Sequence, residues 1–395
     1  MIPWADEQLA TGPEALCLRV LGAPVSVTFG SDVPPERVAE LRRAWSRCLD
    51  SGTPVDANHA PDVARPSGTG SFEARISTGA ASCGVAADSF EELAAELTSA
   101  ITRAGIGARR GELMMLHASG LSDPGSGQTF ALLGASGAGK TTATRALAAH
   151  LGYISDETVG VDRSGRVVPF PKPLSVIVDP APEPKRQVGP DELGLKIAHD
   201  APRLAAIVFL HRDPSAEKAV ATPIGFAESV LLLALQTSWL SHADRPLQWL
   251  CSVLEACGGS VQATYGEAEE LLALLPPLLE SPPLATAWVP SEGGRPDGSE
   301  AGAPASGRVA RARVIDAVEV LEEGGIPEEL LVMTGEGLIR LGGIAPAIWR
   351  AAERPASIED IARRIAHGAA LTPELVAAVS HAVTEMESRG VLRST

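Results

Sequence analysis

The sequence has no C-x-x-C pair, no apolar run of membrane-spanning length, and too few basic residues to balance its acidic ones. Each lack excludes something. The five cysteines (Cys17, Cys48, Cys83, Cys251 and Cys257) are scattered and odd in number. That argues against a cysteine metal site and for reduced thiols. The apolar run Val230–Leu235 is far short of the ~20 residues that a spanning helix needs. The opening MIPWADEQLA lacks the basic and apolar regions of a signal peptide, so a cytoplasmic location is expected. The 33 Lys and Arg against 49 Asp and Glu leave a net charge of −16, which disfavours nucleic acid or an anionic membrane as the main partner. Arg42, Arg43 and Arg47 lie close together and read as a solvated helix face. What remains is a chain of 395 residues, 45% hydrophobic and 21% charged, which is ordinary for a soluble protein of two or three domains.

The most informative stretch is Thr129–Thr142, TFALLGASGAGKTT. An apolar run from Phe130 to Leu133 leads into Gly134-Ala135-Ser136-Gly137-Ala138-Gly139-Lys140-Thr141. This fits G-x-x-x-x-G-K-[ST], and Thr142–His150 continues as a helix. Strand, glycine loop and helix are the context that a phosphate-binding loop requires. Glycines let successive N–H groups turn towards an anion at a helix N-terminus. Lys140 can reach the outer phosphates, and the Thr141 hydroxyl can join a magnesium ion.

Before that loop, residues 1–110 read as an α/β segment contributing to the same domain and supplying part of its sheet. Strand-like runs occur at Leu16–Leu21, Val25–Phe29, Phe72–Ile76 and Cys83–Ala87. A helix is expected over Pro35–Leu49, and another follows the capping box Ser89-Phe-Glu-Glu92. The core, 111–289, begins with the apolar run Leu113–Ala118, then a loop over Leu121–Gln128 and the phosphate-loop unit. Gly152–Glu157 reads as a strand ending in two carboxylates, and a hairpin is expected around Arg163-Ser-Gly165. Pro169–Pro173 (PFPKP) reads as a rigid segment, Arg203–Leu210 as a buried strand and Phe226–Leu240 as an interior helix. A further helix over Ala268–Leu275 is expected to stop at Pro276-Pro277. Residues 290–307, rich in Gly, Ala, Pro, Ser and Glu, read as a flexible linker. The rest, 308–395, reads as a small α+β domain of winged-helix-like order. Strands over Val314–Val320, Leu330–Thr334 and Gly337–Leu341 precede helices over Ala345–Ala352, Ser357–His367 and Thr372–Arg389.

A phosphate loop alone does not choose among nucleotide-binding classes. The N-K-x-D motif by which GTPases read the base is missing, and so is an LSGGQ-type transporter signature. Asp156 and Glu157 carry more. They end a strand that returns towards the phosphate loop after one helix, where carboxylates can serve a metal and an acceptor hydroxyl. The competing explanation is a pair of solvated acids in a turn. His117 ends the strand before the loop and can face the same site. Lys172 and Arg212 are candidate substrate or phosphate contacts, with solvated surface charge as the alternative.

Taken together, Leu116-His117-Ala118, Gly134–Thr141 and Gly152-Tyr-Ile-Ser-Asp156-Glu157 resemble the corresponding blocks of HPr kinase/phosphorylase and its bacterial relatives. The resemblance covers roughly residues 110–215. It implies an α/β nucleotide-binding core of the phosphoenolpyruvate-carboxykinase type and phosphate transfer to a serine hydroxyl. By position it implies that Lys140 and Thr141 hold phosphate and Mg²⁺, Asp156 acts as base, Glu157 assists the metal, and His117 matches the family's active-site histidine. Glu157 stands where those enzymes have Asp, and Pro169–Ser175 replaces their Glu-x-Arg-Gly loop. The resemblance therefore leaves phosphorylase activity, and HPr itself as substrate, open. The segment from about Arg311 to Leu392 resembles PqqD-like domains, which implies that it binds a leader peptide as an added strand. Thr372–Met386 contains Glu374 and Glu385 but no Lys or Arg, which disfavours a DNA-reading helix.

The expected protein is thus an ATP- and Mg²⁺-dependent kinase acting on a serine-type hydroxyl of a peptide or protein, in the modification of a ribosomal peptide. In that reading Asp156, His117 and Lys140 are catalytic, Gly134–Thr142 hold the nucleotide, and Thr141, Asp156 and Glu157 hold the metal. A homo-oligomer is left open. The alternatives are a kinase of a small hydroxylated metabolite and a nucleotide-gated peptide-binding chaperone that transfers nothing.

Overall fold

The structure, a computed structural model, describes residues 15–52, 62–67 (backbone only), 72–135, 139–176, 186–293, 307–321, 325 and 327–395. Ser136, Gly137 and Ala138 of the glycine loop lie outside that set. So do most of the loops expected over Asp56–Ser71 and Pro180–Pro190, and residues 294–306 of the expected linker. The chain is a mixed α/β protein with a mixed central sheet, divided into two compact units. One unit comprises Met1–Thr222, Gln236–Trp239 and Val261–Glu280; the other comprises Pro223–Leu235, Leu240–Ser260 and Ser281–Thr395.

In the first unit the N-terminal segment forms a five-stranded sheet of its own. Its order is Leu16–Val20, Ala23–Phe29, Phe72–Ser77, Ser82–Ala87 and Asp62–Ser67. The expectation that this segment supplies part of the phosphate-loop sheet is therefore corrected. Local chemistry explains why. Val20 pairs with Ala23 across a two-residue turn in which Leu21 (φ 50°) and Gly22 (φ 80°) are both left-handed, so the first two strands pair with each other. The Ser89 hydroxyl accepts from Glu92 N at 3.2 Å and starts the helix Phe90–Ala108. That helix lies on the sheet and buries Leu93, Leu97 and Ile101, each contributing ~2 kcal/mol by removal from water.

The central sheet is six-stranded, in the order Val220–Ile224, Ser260–Tyr265, Arg203–Arg212, Gln128–Leu133, Ser119–Ser122 and Gly152–Ser155. Gln128–Leu133 runs parallel to Arg203–Arg212 and antiparallel to Ser119–Ser122, which in turn runs antiparallel to Gly152–Ser155. Gln128–Leu133 and Gly152–Ser155 therefore point the same way with one opposed strand between them. That intervening strand overlaps the loop expected to begin at Leu121. A smaller sheet joins Val167–Val168, Val159–Val161, Met114–Leu116 and Thr237–Ser238. The hairpin expected around Arg163-Ser-Gly165 is present, with Gly160 opposite Val168 and Val161 opposite Val167.

Three helices end elsewhere than expected. The one expected over Pro35–Leu49 is α-helical only over Pro35–Ala44 and is followed by a 3-10 turn at Ser46–Cys48. Phe226–Leu235 stops before Thr237–Ser238, whose backbone pairs with Met115 and Leu116 instead. Leu271–Leu279 continues through Pro276 and Pro277, because burial of Leu271 and Leu275 outweighs the poor local propensity of proline.

The second unit contains an antiparallel sheet ordered Trp288–Ser291, Asp316–Leu321, Pro327–Thr334 and Gly337–Leu341. A three-stranded sheet joins Ala356–Ser357, Arg308–Arg311 and Leu392–Ser394. The helices Ala345–Ala351, Ile358–Ile365 and Pro373–Ser388 pack around Trp349, Val379 and Val383. Ser357 and Thr372 cap the latter two, accepting from Asp360 N at 3.1 Å and Leu375 N at 3.2 Å. The helix Pro246–Ala256 belongs to this unit as well, and the buried Asp316 carboxylate accepts from its Leu247 N at 2.8 Å and Gln248 N at 3.0 Å.

Candidate functional site

Strand direction determines which residues meet. Gln128–Leu133 and Gly152–Ser155 end at the same edge of the central sheet, and Ser119–Ser122 begins there. Gly134, Asp156 and the His117-Ala118 step are thus delivered to one edge. Arg203–Arg212 runs parallel to the loop strand, with Phe209 opposite Leu133, so Arg212 leaves the sheet on that edge too. The carboxyl edge of parallel strands is where ligands of open α/β sheets bind.

The described part of the phosphate loop has the features of an anion site. Gly139 has φ 81° and is the N-cap of the helix Lys140–Ala148, with no side chain capping that end. The first backbone bond of the helix is Ala143 N to Gly139 O at 2.9 Å, so the N–H groups of Lys140, Thr141 and Thr142 lie ahead of it. A β-carbon on Gly139 would stand 3.5 Å from the Tyr265 hydroxyl, so buried Tyr265 walls the turn. The Lys140 ammonium curls back to Gly134 O at 2.5 Å and is half-buried. Its basicity is lowered by burial, against the pull of the Glu157 carboxylate. Thr141 is half-buried and Thr142 exposed. These groups suit a triphosphate: a helix start with no side-chain cap, its first N–H groups ahead of the first helical bond, beside a lysine.

Asp156 and Glu157 emerge from the Gly152–Ser155 strand into a turn that Ser155 and Ser119 fix. The Ser155 hydroxyl accepts from Glu157 N at 3.3 Å and Thr158 N at 3.2 Å, and Ser119 Oγ donates to Asp156 O at 3.1 Å. Asp156 is 9% exposed, and the Glu157 side chain 39%. Lys172 lies between them, 3% exposed, with its Nζ 2.9 Å from Asp156 Oδ1 and 3.1 Å from Glu157 Oε2. Nζ also donates to Pro173 O at 3.2 Å, which uses all three of its hydrogens. Burial alone would lower the lysine's basicity, but the two carboxylates outweigh it and raise the group above its ordinary value. Lys172, expected as a contact for substrate or phosphate, is thus spent on the two acids. Asp156 Oδ1 also takes the Tyr153 hydroxyl at 3.2 Å, and that hydroxyl is 3.1 Å from Lys172 O.

Exposed His117 completes the group. Its ring is less basic than an ordinary histidine because it is partly desolvated and because Lys140 repels its charged form. Glu157 and Asp156 act in the opposite sense. The same ring therefore senses the phosphate-loop lysine and both carboxylates, so His117, Lys140, Asp156 and Glu157 share one electrostatic site. Arg212 has another use: Nε donates to Gly266 O at 3.1 Å, and one guanidinium nitrogen lies 3.3 Å from Glu267 Oε1. The guanidinium is half exposed and also lowers the basicity of the Tyr265 phenolate, which places it beside the wall of the loop.

Magnesium usually keeps several waters and needs only one or two protein oxygens besides phosphate. Thr141 Oγ and Glu157 Oε1, which has no hydrogen bond or ion pair among the described residues, are a donor set of that kind. No group of three or more His, Cys, Asp or Glu side chains that could hold a metal by itself occurs among the described residues. No helix among them is long and apolar enough to cross a membrane.

Two residues at the site have no role that the sequence alone suggests. Tyr153 lies inside the Gly152–Glu157 block, where an alternating strand reading hides that its hydroxyl reaches Asp156. Gln236 faces His117 across the antiparallel pair, with His117 N donating to Gln236 O at 2.6 Å. A helix expected through Leu240 conceals that register. No protein-family model matches the chain, and a comparison with curated proteins gives no significant match.

Proposed function

We propose that the chain is a phosphotransferase with a P-loop kinase core, acting with ATP and Mg²⁺ on a serine-type hydroxyl of a peptide or protein in the cytoplasm. The supporting observation is the convergence of Gly139–Thr142, His117 and the Asp156–Glu157 pair at one sheet edge, within one electrostatic site. When bound, the magnesium-triphosphate supplies the transferable phosphoryl group and disperses its charge. Gly134–Thr142 would cradle the phosphates, Lys140 would neutralise them, and Thr141 with Glu157 would hold the metal. Asp156 keeps Oδ2 free of any hydrogen bond or ion pair among the described residues, so it can orient the acceptor hydroxyl and take its proton. His117, kept neutral near pH 7, can accept a hydrogen bond at the same place without adding positive charge.

The C-terminal unit would present the substrate. Gly337–Leu341 is the last strand of its antiparallel sheet, and an edge strand of this kind can take an extended peptide as a further strand. A basic DNA-reading helix is not offered by Pro373–Ser388.

The test is incubation of the full chain with ATP, Mg²⁺ and candidate precursor peptides, read by mass spectrometry. The wild type should add the mass of one phosphate to a serine-bearing peptide. Asp156→Asn should bind ATP within about threefold of wild type and lose at least ~100-fold in transfer. Transfer at the wild-type rate by Asp156→Asn would remove it from the role of base. A second reading, nucleotide-gated peptide binding without transfer, draws on the engagement of both carboxylates by Lys172. It predicts peptide binding that depends on ATP and survives Asp156→Asn.

A further inference from the structure

The segment Pro169-Phe-Pro-Lys-Pro173 is built to deliver one ammonium group. Phe170 N donates to Ile154 O at 3.1 Å, which ties the segment to the strand that carries the carboxylates. The Phe170 ring is fully buried, with its centroid 6.2 Å from that of Trp45. Pro171 and Pro173 restrict the backbone on both sides of Lys172, and Lys172 N closes a tight turn onto Phe170 O at 2.8 Å. The long side chain then runs inward to a place where only full pairing makes a buried charge tolerable. It contacts one oxygen of each acid. Asp156 Oδ2 and Glu157 Oε1 carry no hydrogen bond or ion pair among the described residues.

We infer that Lys172 is a positioning residue that acts as the fixed counter-ion of the Asp156–Glu157 pair and so excludes a divalent cation from it until a nucleotide is bound. Two carboxylates side by side are a cation site by default, and here the cation is covalently supplied. What stays open is one oxygen on each acid. The more exposed Glu157 offers Oε1 to an ion brought by phosphate, and the buried Asp156 keeps Oδ2 for the acceptor. The ammonium thus divides the pair into a metal-facing and a substrate-facing member and keeps metal from bridging them. The inference rests on the proposed phosphotransferase reading only in naming a nucleotide as the ion's companion.

The experiment titrates Mn²⁺ into the full-length protein and follows free Mn²⁺ by electron paramagnetic resonance, with and without a non-hydrolysable ATP analogue. Wild type should take up Mn²⁺ with the analogue and bind it at least ~10-fold more weakly without it. Lys172→Met should gain nucleotide-free Mn²⁺ binding, at least ~10-fold tighter than wild type, and lose that gain when Asp156→Asn is added. Lys172→Arg, which keeps the charge, should behave like wild type. If Lys172→Met does not fold alone, Mn²⁺ should restore its near-ultraviolet circular dichroism, and failure to do so would overturn the inference. Equally fatal would be nucleotide-free Mn²⁺ binding by wild type that Asp156→Asn abolishes, or a folded Lys172→Met that gains none. The expected Mn²⁺ pattern with no peptide phosphorylated would sink the transferase reading and leave the counter-ion assignment standing. Phosphorylation with the opposite Mn²⁺ pattern would sink the counter-ion assignment and leave the transferase reading standing.

Discussion

The backbone N–H of His117 donates to Gln236 O at 2.6 Å, so the histidine is held by its main chain while its ring is left to respond to the charges around it. Desolvation and Lys140 lower the ring's basicity, and Glu157 and Asp156 counteract them. Replacing Lys140 by Met should therefore raise the His117 pKa, and Glu157→Gln should lower it further. Both shifts are readable from the His117 ring protons by NMR. The sign for stability follows. A histidine whose folded value lies below its unfolded 6.5 binds its proton more readily when unfolded. Its contribution is complete above pH 6.5, declines as the pH falls through that value, and is gone once the folded value is passed. His117→Gln should lose less stability than wild type between about pH 8 and pH 5.

Gly139 should tolerate no side chain, for reasons of backbone rather than space. Among the described residues a β-carbon there meets the Tyr265 hydroxyl, at an ordinary 3.5 Å, but φ is 81°. Gly139→Ala should cost about 1–2 kcal/mol in strain and weaken nucleotide binding at least ~10-fold by moving the helix start. Gly107, in the helix Phe90–Ala108, has open space around it and no positive φ. Gly107→Ala should instead stabilise by roughly 0.5–1 kcal/mol. Calorimetry on the two variants should give opposite signs.

That contrast bears on what is legible in the sequence. The strand and helix that flank the glycine run, Gln128–Leu133 and Lys140–Ala148, the capping serine at Ser89 and the strand and helix order of Asp316–Ser388 are readable because each depends on neighbours a few residues apart. The strand Ser119–Ser122 is not. Its residues, SGLS, suggest a turn, yet all are buried, because close packing demands small side chains there. A β-carbon on Gly120 would lie 2.8 Å from Val159 Cγ2. The order of elements suggests that Gly152–Glu157 returns beside the loop strand, whereas this hidden strand separates the two. Lys172 escapes a local reading for a related reason. Nothing nearby in the chain marks a lysine between prolines as an internal counter-ion; only the fold brings it to Asp156.

Tyr153 and Tyr265 are the two tyrosines of the chain, and both phenols should resist ionisation. Burial pushes Tyr153 well above its ordinary 10.0, with the Asp156 charge adding to the effect. Burial also raises Tyr265, against the pull of Arg212. Ultraviolet titration of the native protein should therefore show little tyrosinate at about pH 10, where an exposed tyrosine is half ionised. Both groups hold their protons more tightly when folded, so stability should start to fall as the pH rises past 10.0. Tyr153→Phe removes a hydroxyl that serves both Asp156 Oδ1 and Lys172 O. It should cost about 1–2 kcal/mol in thermal denaturation.

Asp316 should prove the most sensitive single position of the second unit. Its Oδ2 accepts from Leu247 N at 2.8 Å and Gln248 N at 3.0 Å, and its Oδ1 from Gln248 Nε2 at 2.9 Å and Ala317 N at 2.9 Å. The first two bonds cap the helix Pro246–Ala256, whose Arg245 N-cap supplies no side-chain bond of its own. A carboxylate at that end also meets the positive end of the helix dipole. Asp316→Ala leaves four donors without their acceptor at a buried site and should cost about 2–4 kcal/mol. Asp316→Asn keeps acceptor capacity on one oxygen and should cost about half as much. Because the chain has two units, a single unfolding midpoint would blend their responses. Hydrogen exchange on the intact protein resolves them: amides of Leu247–Ala256 should lose protection in Asp316→Ala, while those of Gln128–Leu133 should not. The same cap explains why cutting the chain before residue 308 is a poor test of peptide recognition. The cut removes Asp316 and the strand Asp316–Leu321, against which Pro246–Ala256 packs, so lost phosphorylation could not be separated from a disrupted helix.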